Sequence, residues 1–314
     1  MKFSIIIPVH NSAAYLEKCL TSWQAQTYGD FEVICVENGS TDNSLDILRD
    51  FEKKDQRFRI CHIDMTGVSH ARNVGMQYIS GDVFGFCDSD DYVRSDYLEA
   101  ASRLFEMYNA DCVITGVRPV RGGETDRVAG KSNKETLLSS KDVLCKILCD
   151  KRIGGFAWNK LFKVSSVKPV PWNETFFCYE DLLWNVEMLY KNQLRVVHST
   201  RCFYFYVQRS ESVSHSLEYM YDKNGVLNLI HVLEKIKPCY DGDGKKERAW
   251  ISEFCYSEME NVYCNPRMPL SIKRCFMQDF RKNCRVYFGN ADRPLIEKMK
   301  TVVKLLIIYF RRNE

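Results

Sequence analysis

No Cys-x-x-Cys pair, no G-x-x-x-x-G-K-[ST] loop and no G-x-G-x-x-G after the first apolar run occur in this chain, despite its 14 cysteines and 16 glycines. The first absence argues against a zinc site or a dithiol redox centre, and the others against a P-loop ATPase or a dinucleotide dehydrogenase. A strong charge of one sign is also missing: 44 Lys and Arg stand against 41 Asp and Glu, for a formal net charge of +3. That balance lacks the basic field of a nucleic-acid binder, so no nucleic-acid partner is expected. Nowhere does an apolar run approach the ~18 residues of a membrane-spanning helix. Met1-Lys2-Phe3-Ser4-Ile5 leads into a strand pattern, not into the apolar core and cleavage site of a signal peptide. The cysteines, set singly in apolar runs as at Cys35, Cys61, Cys87 and Cys112, read as small buried hydrophobes in a reducing compartment. A cytoplasmic protein is the expectation.

What is present is enough apolar residue, 45% of 314, to bury a full core. Strand runs are expected at 3–9, 31–36, 58–63, 83–87 and 111–115. Between them, helical spacing links Tyr15, Leu16, Cys19, Leu20 and Trp23, then Leu45, Ile47, Leu48 and Phe51, and continues over 68–79 and about 95–108. The alternation predicts an α/β fold, a mainly parallel sheet flanked by helices. In such sheets ligands bind beyond the carboxyl ends of the strands. Four polar clusters fall there: Pro8-Val9-His10-Asn11, Glu37 to Asp42, Gly67 to Arg72, and Asp88-Ser89-Asp90-Asp91. One ligand could touch all four. The polar stretch 116–140, with its Gly122-Gly123 turn signal, reads as an excursion or loop, and strand-like runs follow at 195–198 and 203–207. Helical periodicity takes over from 216, so the expected organisation is one α/β domain over 1–215 and a helical subdomain over 216–314.

The fourth cluster carries the sharpest signal. The apolar run Phe84-Gly85-Phe86-Cys87 ends in three carboxylates within four residues, which repel one another and are costly to desolvate. They suit either a divalent cation or a solvated turn that caps the next helix. With a second acidic cluster and Arg72 at neighbouring strand ends, a metal beside an anion such as a diphosphate fits best.

In order along the chain, Ser4-Ile5-Ile6-Ile7-Pro8-Val9-His10-Asn11, Val36-Glu37-Asn38-Gly39-Ser40-Thr41-Asp42, Gly67-Val68-Ser69-His70-Ala71-Arg72-Asn73-Val74-Gly75 and Asp88-Ser89-Asp90-Asp91 resemble the motifs of family 2 glycosyltransferases, inverting enzymes of the GT-A fold. The resemblance is close over about 1–118 and looser to about 215. It implies a nucleotide-sugar site built from Pro8, Val9, His10 and Asn11, from Glu37, Asn38, Ser40 and Asp42 around the base, from Arg72 at the phosphates, and from Asp88 and Ser89 near the ribose. It also implies Mn²⁺ or Mg²⁺ on Asp90. The family turn usually opens Asp-Asp-Gly-Ser or Asp-Asn-Gly-Ser. Here Glu37 fills the first place, which leaves open whether Glu37 or Asn38 meets the base. Asp91 either serves the acceptor side or caps the following helix.

Farther on, Gly154 to Phe162 mixes aromatic, amide and cationic groups, a combination suited to sugar recognition. Trp158 is the candidate acceptor contact, with a core-packing Trp158 beside an exposed Lys160 as the equal alternative. Glu180 and Asp181 interrupt an aromatic surround at the head of an amphipathic helix. They resemble the Glu-Asp pair that bacterial family 2 enzymes place opposite the D-x-D, and Asp181 is then the expected general base, with Glu180 beside it. An acidic helix start favoured by the dipole is the other reading. His215 is either a further metal ligand or an ordinary polar residue.

The expected activity is an inverting, metal-dependent transfer of a hexosyl or N-acetylhexosaminyl group from a nucleotide sugar, UDP-linked, to a hydroxyl of a glycan or lipid-linked saccharide. A non-catalytic nucleotide-sugar-binding protein and a nucleotidyltransferase are the alternatives, separable by donor turnover and by pyrophosphate release. Near the C-terminus, Lys298, Lys300 and Lys304 flank apolar residues that continue to Phe310, and Arg311-Arg312 follow. This pattern suits either a helix lying on an anionic cytoplasmic membrane face or one docked on the helical subdomain or on a second copy of the chain.

Overall fold

The computed structural model describes residues 1–65, 67–120, 134–148, 150, 152–208 and 228–240. The chain divides into two compact units, Met1–Ile236 and Lys237–Glu314. Of the second unit the described part is the 3-10 turn Lys237–Tyr240. His215 and the basic, apolar stretch after 295 both lie outside the described residues.

In the first unit, β1 (Phe3–Val9) is buried along its whole length. It lies between β2 (Phe31–Asn38) and β4 (Val83–Phe86) and runs parallel to both; with both of its faces covered as well, an unbroken Ile-rich run replaces alternation. Pro8 sits beyond the last β1–β4 pair, Ile6 with Phe86, where its missing N–H costs no ladder bond on that side. β3 (Phe58–Ile63) extends the parallel set beside β2. On the other flank, β8 (Lys160–Lys163) joins β4 antiparallel, β6 (Cys112–Val120) joins β8 antiparallel, and β9 (Arg195–Val207) runs parallel to β6. The short β5 (Tyr92–Val93) and β7 (Glu135–Ser139) both pair antiparallel with β9.

Helices cover both faces. Leu16, Cys19, Leu20 and Trp23 of α1 (Ala13–Gln24), Leu48 of α2 (Ser44–Lys54) and Tyr97, Leu98 and Phe105 of α4 (Tyr97–Tyr108) share one core with Phe3, Ile5, Ile7 and Val9. On the opposite face α3 (Val68–Met76) comes so close that a Cβ on Gly75 would stand 2.5 Å from Ile6 Cγ2. Beyond α5 (Ser140–Ile147), α6 (Glu180–Lys191) buries Trp184 against Phe86 and Phe162. The last described helix of this unit is α7 (Asn228–Ile236).

Two local expectations change. The stretch 116–140 is not simply a loop: β6 continues to Val120 and β7 begins at Glu135, because β9 offers both of them a ladder. The two runs at 195–207 are one strand whose polar middle, Ser199 to Arg201, faces register shifts in β6 at Gly116. Ser12, the residue before α1, makes no side-chain cap bond. Its hydroxyl is spent instead on His10 O and on Ser89 Oγ at 2.6 Å. The described cysteines are free thiols, and no described helix is long and apolar enough to cross a membrane.

Candidate active site

The polar clusters at the ends of β1 and β2 form one bonded turn. Asp42 accepts the N–H of Ala13 with one oxygen and that of Ser44 with the other, each at 3.0 Å, so a single carboxylate satisfies the first residues of two helices. Asn11, at φ 47°, accepts the Thr41 N–H at 2.8 Å through its side-chain oxygen and gives its own N–H to Ser40 Oγ at 3.1 Å. His10 Nδ1 lies 2.8 Å from Asn38 O. Glu37 is 1% exposed; its two oxygens meet Ser40 N–H at 2.6 Å and His62 Nδ1 at 2.5 Å. Burial works to raise its pKa, but Ser40 and His62 outweigh burial and hold the carboxyl below the usual range. Both Glu37 oxygens are thus occupied, while the buried Asn38 side-chain oxygen has no partner.

Arg72 joins the remaining clusters. Its side chain is buried, with Nη1 donating to Glu180 Oε1 at 2.9 Å and Nη2 to Asp88 Oδ1 at 3.2 Å, while its guanidinium carbon sits 4.4 Å above the Trp172 ring. Trp172 is stacked 4.7 Å from Trp184. It is fixed from the motif helix itself, since Asn73 accepts the Trp172 N–H at 2.7 Å and donates to Trp172 O at 3.0 Å. The fork therefore bridges the end of β4 and the head of α6. At that head, Asp181 Oδ1 accepts the Leu182 N–H at 2.7 Å. Burial, with Glu180 adjacent, pushes the Asp181 carboxyl up to about 7, even though Arg72 and Leu182 pull the other way. Burial also raises Glu180, against the pull of Arg72.

In the acidic turn, Asp88, Asp90 and Asp91 each offer an oxygen, all within 4.8 Å of one another. Asp91 differs from the other two. It is fully buried, accepts Tyr204 O–H at 2.7 Å and Val207 N–H at 2.8 Å, and has its pKa raised well above the usual carboxylate range by burial and by Asp88 and Asp90. The residue before α4 is Asp96, so Asp91 ties the turn to β9 and does not cap the helix. Ser89, through Ser12, ties it to α1.

Trp158 is 6% exposed and stacks on Phe156, at 4.7 Å, and on Tyr204, at 4.6 Å. Lys160, exposed in one of the two sequence readings of this stretch, is completely buried. Its ammonium lies 2.9 Å from Ile153 O, Gly154 O and Asn159 Oδ1 and 2.6 Å from Phe156 O, and burial lowers its pKa to about 7. The structure thus brings Arg72, Asp88, Glu180 and Asp181 into one network, with Ser89, Asp90 and Asp91 on its β4 side. Tyr204, Trp172, Asn73 and Lys160 carry that network and were not singled out as site residues from sequence. Asn73 had a signal in the Arg72-Asn73-Val74-Gly75 motif, and Lys160 one as the cation of the Gly154 to Phe162 stretch; Tyr204 and Trp172 had none.

The profile of Glycosyl transferase family 2 matches residues 4–168. Glycosyltransferase GlyA of Streptococcus pneumoniae serotype 4 is 32% identical over 169 residues, 52% of this chain and 24% of that protein. Poly(ribitol-phosphate) beta-N-acetylglucosaminyltransferase TarS of Staphylococcus aureus is 29% identical over 147 residues, 45% of this chain and 26% of that protein. The chain spans less than half the length of such curated relatives. The crystal structure of S. aureus TarS 1-349 in complex with UDP-GlcNAc superposes with a TM-score of 0.70 at 20% identity, covering 91% of this chain and 82% of that one, and so shares its GT-A fold.

Proposed function

Because the chain belongs to glycosyl transferase family 2, we propose that it transfers a sugar from a UDP-sugar to a hydroxyl of a glycan or lipid-linked saccharide, with inversion and with a divalent cation. The observation that carries this reading is the buried Arg72 fork, which couples Asp88 of the D-x-D turn to the Glu180–Asp181 pair. A donor diphosphate entering beside Asp88 would take over part of the guanidinium now held by carboxylates, since phosphate oxygens accept the same planar pair of N–H groups. The complexes of TarS with UDP-GlcNAc and with UDP support a UDP-sugar as the donor.

The acidic turn fits a hard cation, whose ligands are oxygens. Asp88 and Asp90, both partly exposed, would hold Mn²⁺ or Mg²⁺, whereas Asp91 spends both oxygens on β9. When bound, the metal would supply positive charge against the departing diphosphate. Around it, Pro8, Val9, His10, Asn11, Asn38 and Ser40 would shape the nucleotide pocket, and Glu37 and Asp42 would hold its turn. Asp181 has a pKa near neutrality, as a general base requires. It would take the proton from the acceptor hydroxyl as that oxygen attacks the anomeric carbon from the face opposite the leaving UDP. Glu180 would stay paired to Arg72 and raise the basicity of its neighbour through like charge.

The test is UDP release from a panel of UDP- and GDP-sugars, with and without EDTA. Metal-dependent release from a UDP-sugar is expected. Metal-dependent binding with no turnover on any donor would support a nucleotide-sugar-binding module instead, and pyrophosphate release from UTP and a sugar phosphate would support a nucleotidyltransferase. The basic, apolar stretch 295–314 would seat the enzyme on an anionic cytoplasmic membrane face. Flotation with anionic liposomes at low salt tests this, and a full-length chain that stays in the soluble fraction would sink it.

A further inference from the structure

A ladder of aromatic rings leads from the D-x-D turn to the surface. Tyr204 donates its O–H to Asp91 and accepts the Asp88 N–H. Trp158 stacks on Tyr204 at 4.6 Å and on Tyr206 at 5.6 Å. Phe156 also stacks on Trp158, at 4.7 Å with the ring planes 15° apart. Phe156 is the exposed rung, at 40% against 6% for Trp158, while Tyr206 is partly buried.

Its placement is tightly held. Lys160 Nζ lies 2.6 Å from Phe156 O, and Gly154, at φ +50°, leaves room for the Phe156 ring where a Cβ would stand 2.5 Å from its Cε2. The next glycine touches the catalytic side of the molecule: Gly155 O accepts from Asn185 of α6 at 2.8 Å, and a Cβ on Gly155 would stand 3.1 Å from Leu182 Cα. Phe156 thus follows a residue packed against the immediate neighbour of Asp181. The loop that carries it enters β8, which flanks β4 on the side away from β1 and β2, and so away from the turn proposed to hold the nucleotide.

We infer that the outward face of Phe156 is a subsite for the acceptor saccharide, on which the apolar face of a pyranose ring stacks beside Asp181. This rests on the proposed glycosyltransferase reading. The C–H groups on one face of a pyranose carry partial positive charge and complement the negative face of an aromatic ring. A ring already backed by Trp158 and fixed by Lys160 loses little freedom when a ligand covers it. Trp158 acts as the backing of this surface, and Lys160 as a positioning residue for the loop.

Saturation-transfer NMR tests the inference with the full-length protein, UDP and Mg²⁺. The probes are methyl β-D-glucopyranoside, methyl β-D-galactopyranoside, methyl α-D-mannopyranoside and methyl N-acetyl-β-D-glucosaminide. At least one is expected to receive saturation on its ring C–H protons, with the effect roughly fivefold or more weaker in Phe156→Ala and restored in Phe156→Trp. Tyr190→Ala removes another exposed aromatic, at the far end of α6, and should leave the effect intact. No transfer to any of the four sugars, equal transfer in Phe156→Ala, failure of Phe156→Trp to restore it, or equal loss in Tyr190→Ala each overturns the subsite. UDP affinity, measured on every variant, separates this outcome from misfolding. Failure of the glycosyltransferase reading would show instead as absent UDP release from every donor.

Discussion

The carboxylates of the β2 turn and those at the head of α6 are the same chemical groups in opposite states. Glu37 and Asp42 are met by N–H and O–H donors from Ser40, Ala13 and Ser44, and by His62, which hold both below the usual range against the cost of burial. Glu180 and Asp181 have fewer donors and sit together, so burial wins and both are raised. On the proposed reading, the difference separates scaffold from chemistry. A turn that shapes a pocket needs anions whose charge never varies, whereas a group that takes a proton at neutral pH must pay for its charge in the empty site.

The comparison breaks most directly at Asp181. Asp181→Asn keeps the shape and an acceptor for Leu182 N–H while removing the base, so turnover should fall by roughly 10² to 10⁴-fold with UDP affinity unchanged. The same variant should be the more stable protein. A carboxyl raised from 3.8 to about 7 favours the folded state only while protonated, so its ionisation lowers stability progressively as pH rises from the ordinary aspartate value to about 7. Above that, thermal or urea unfolding should find Asp181→Asn more stable by an amount on the order of 1 to 4 kcal/mol. Lost turnover without gained stability would mean that Asp181 is not held against its charge.

Arg72 links the raised carboxylates to the D-x-D turn. Arg72→Leu would leave Glu180 and Asp88 without their shared cation, and removing one partner of a buried pair costs about 3 to 5 kcal/mol. Urea unfolding should show a loss of that size, partly recovered in the double variant Arg72→Leu/Glu180→Leu. A loss below about 1 kcal/mol would place the fork among the weak surface pairs. On the scaffold side the effect is smaller. Glu37→Gln should cost about 1 kcal/mol at neutral pH. Since the folded pKa of Glu37 is lowered, its contribution is complete above the ordinary glutamate range and disappears as pH falls through the folded value, so the two unfolding curves should converge in acid.

Much of the sheet was legible because buried parallel strands write themselves as short apolar runs: Phe3–Val9 and Phe58–Ile63 begin and end where the pattern does. The strand-end clusters followed from that. The flank built by β6, β7 and β9 was legible only in pieces, at 111–115, 195–198 and 203–207, because polar residues such as Ser199, Thr200 and Arg201 sit inside a strand whose partners are far away in sequence. In the site, residue types were visible but pairings were not. Arg72 meets Asp88 16 positions away and Glu180 108 positions away, and no local pattern encodes a fork between them. Lys160 illustrates the same limit, since a lysine is expected at the surface and only the convergence of three backbone carbonyls and Asn159 makes its burial tolerable.

On the proposed reading, Asp181 is a base poised near neutrality by burial and by Glu180. The pH dependence of kcat at saturating UDP-sugar and acceptor tests it most directly. The expected kcat rises with pH on a single ionisation near the value of about 7 that burial imposes on Asp181 and then levels, with that ionisation absent from the residual activity of Asp181→Asn. A kcat level from pH 5 to 9, or the same inflection persisting in Asp181→Asn, would contradict it.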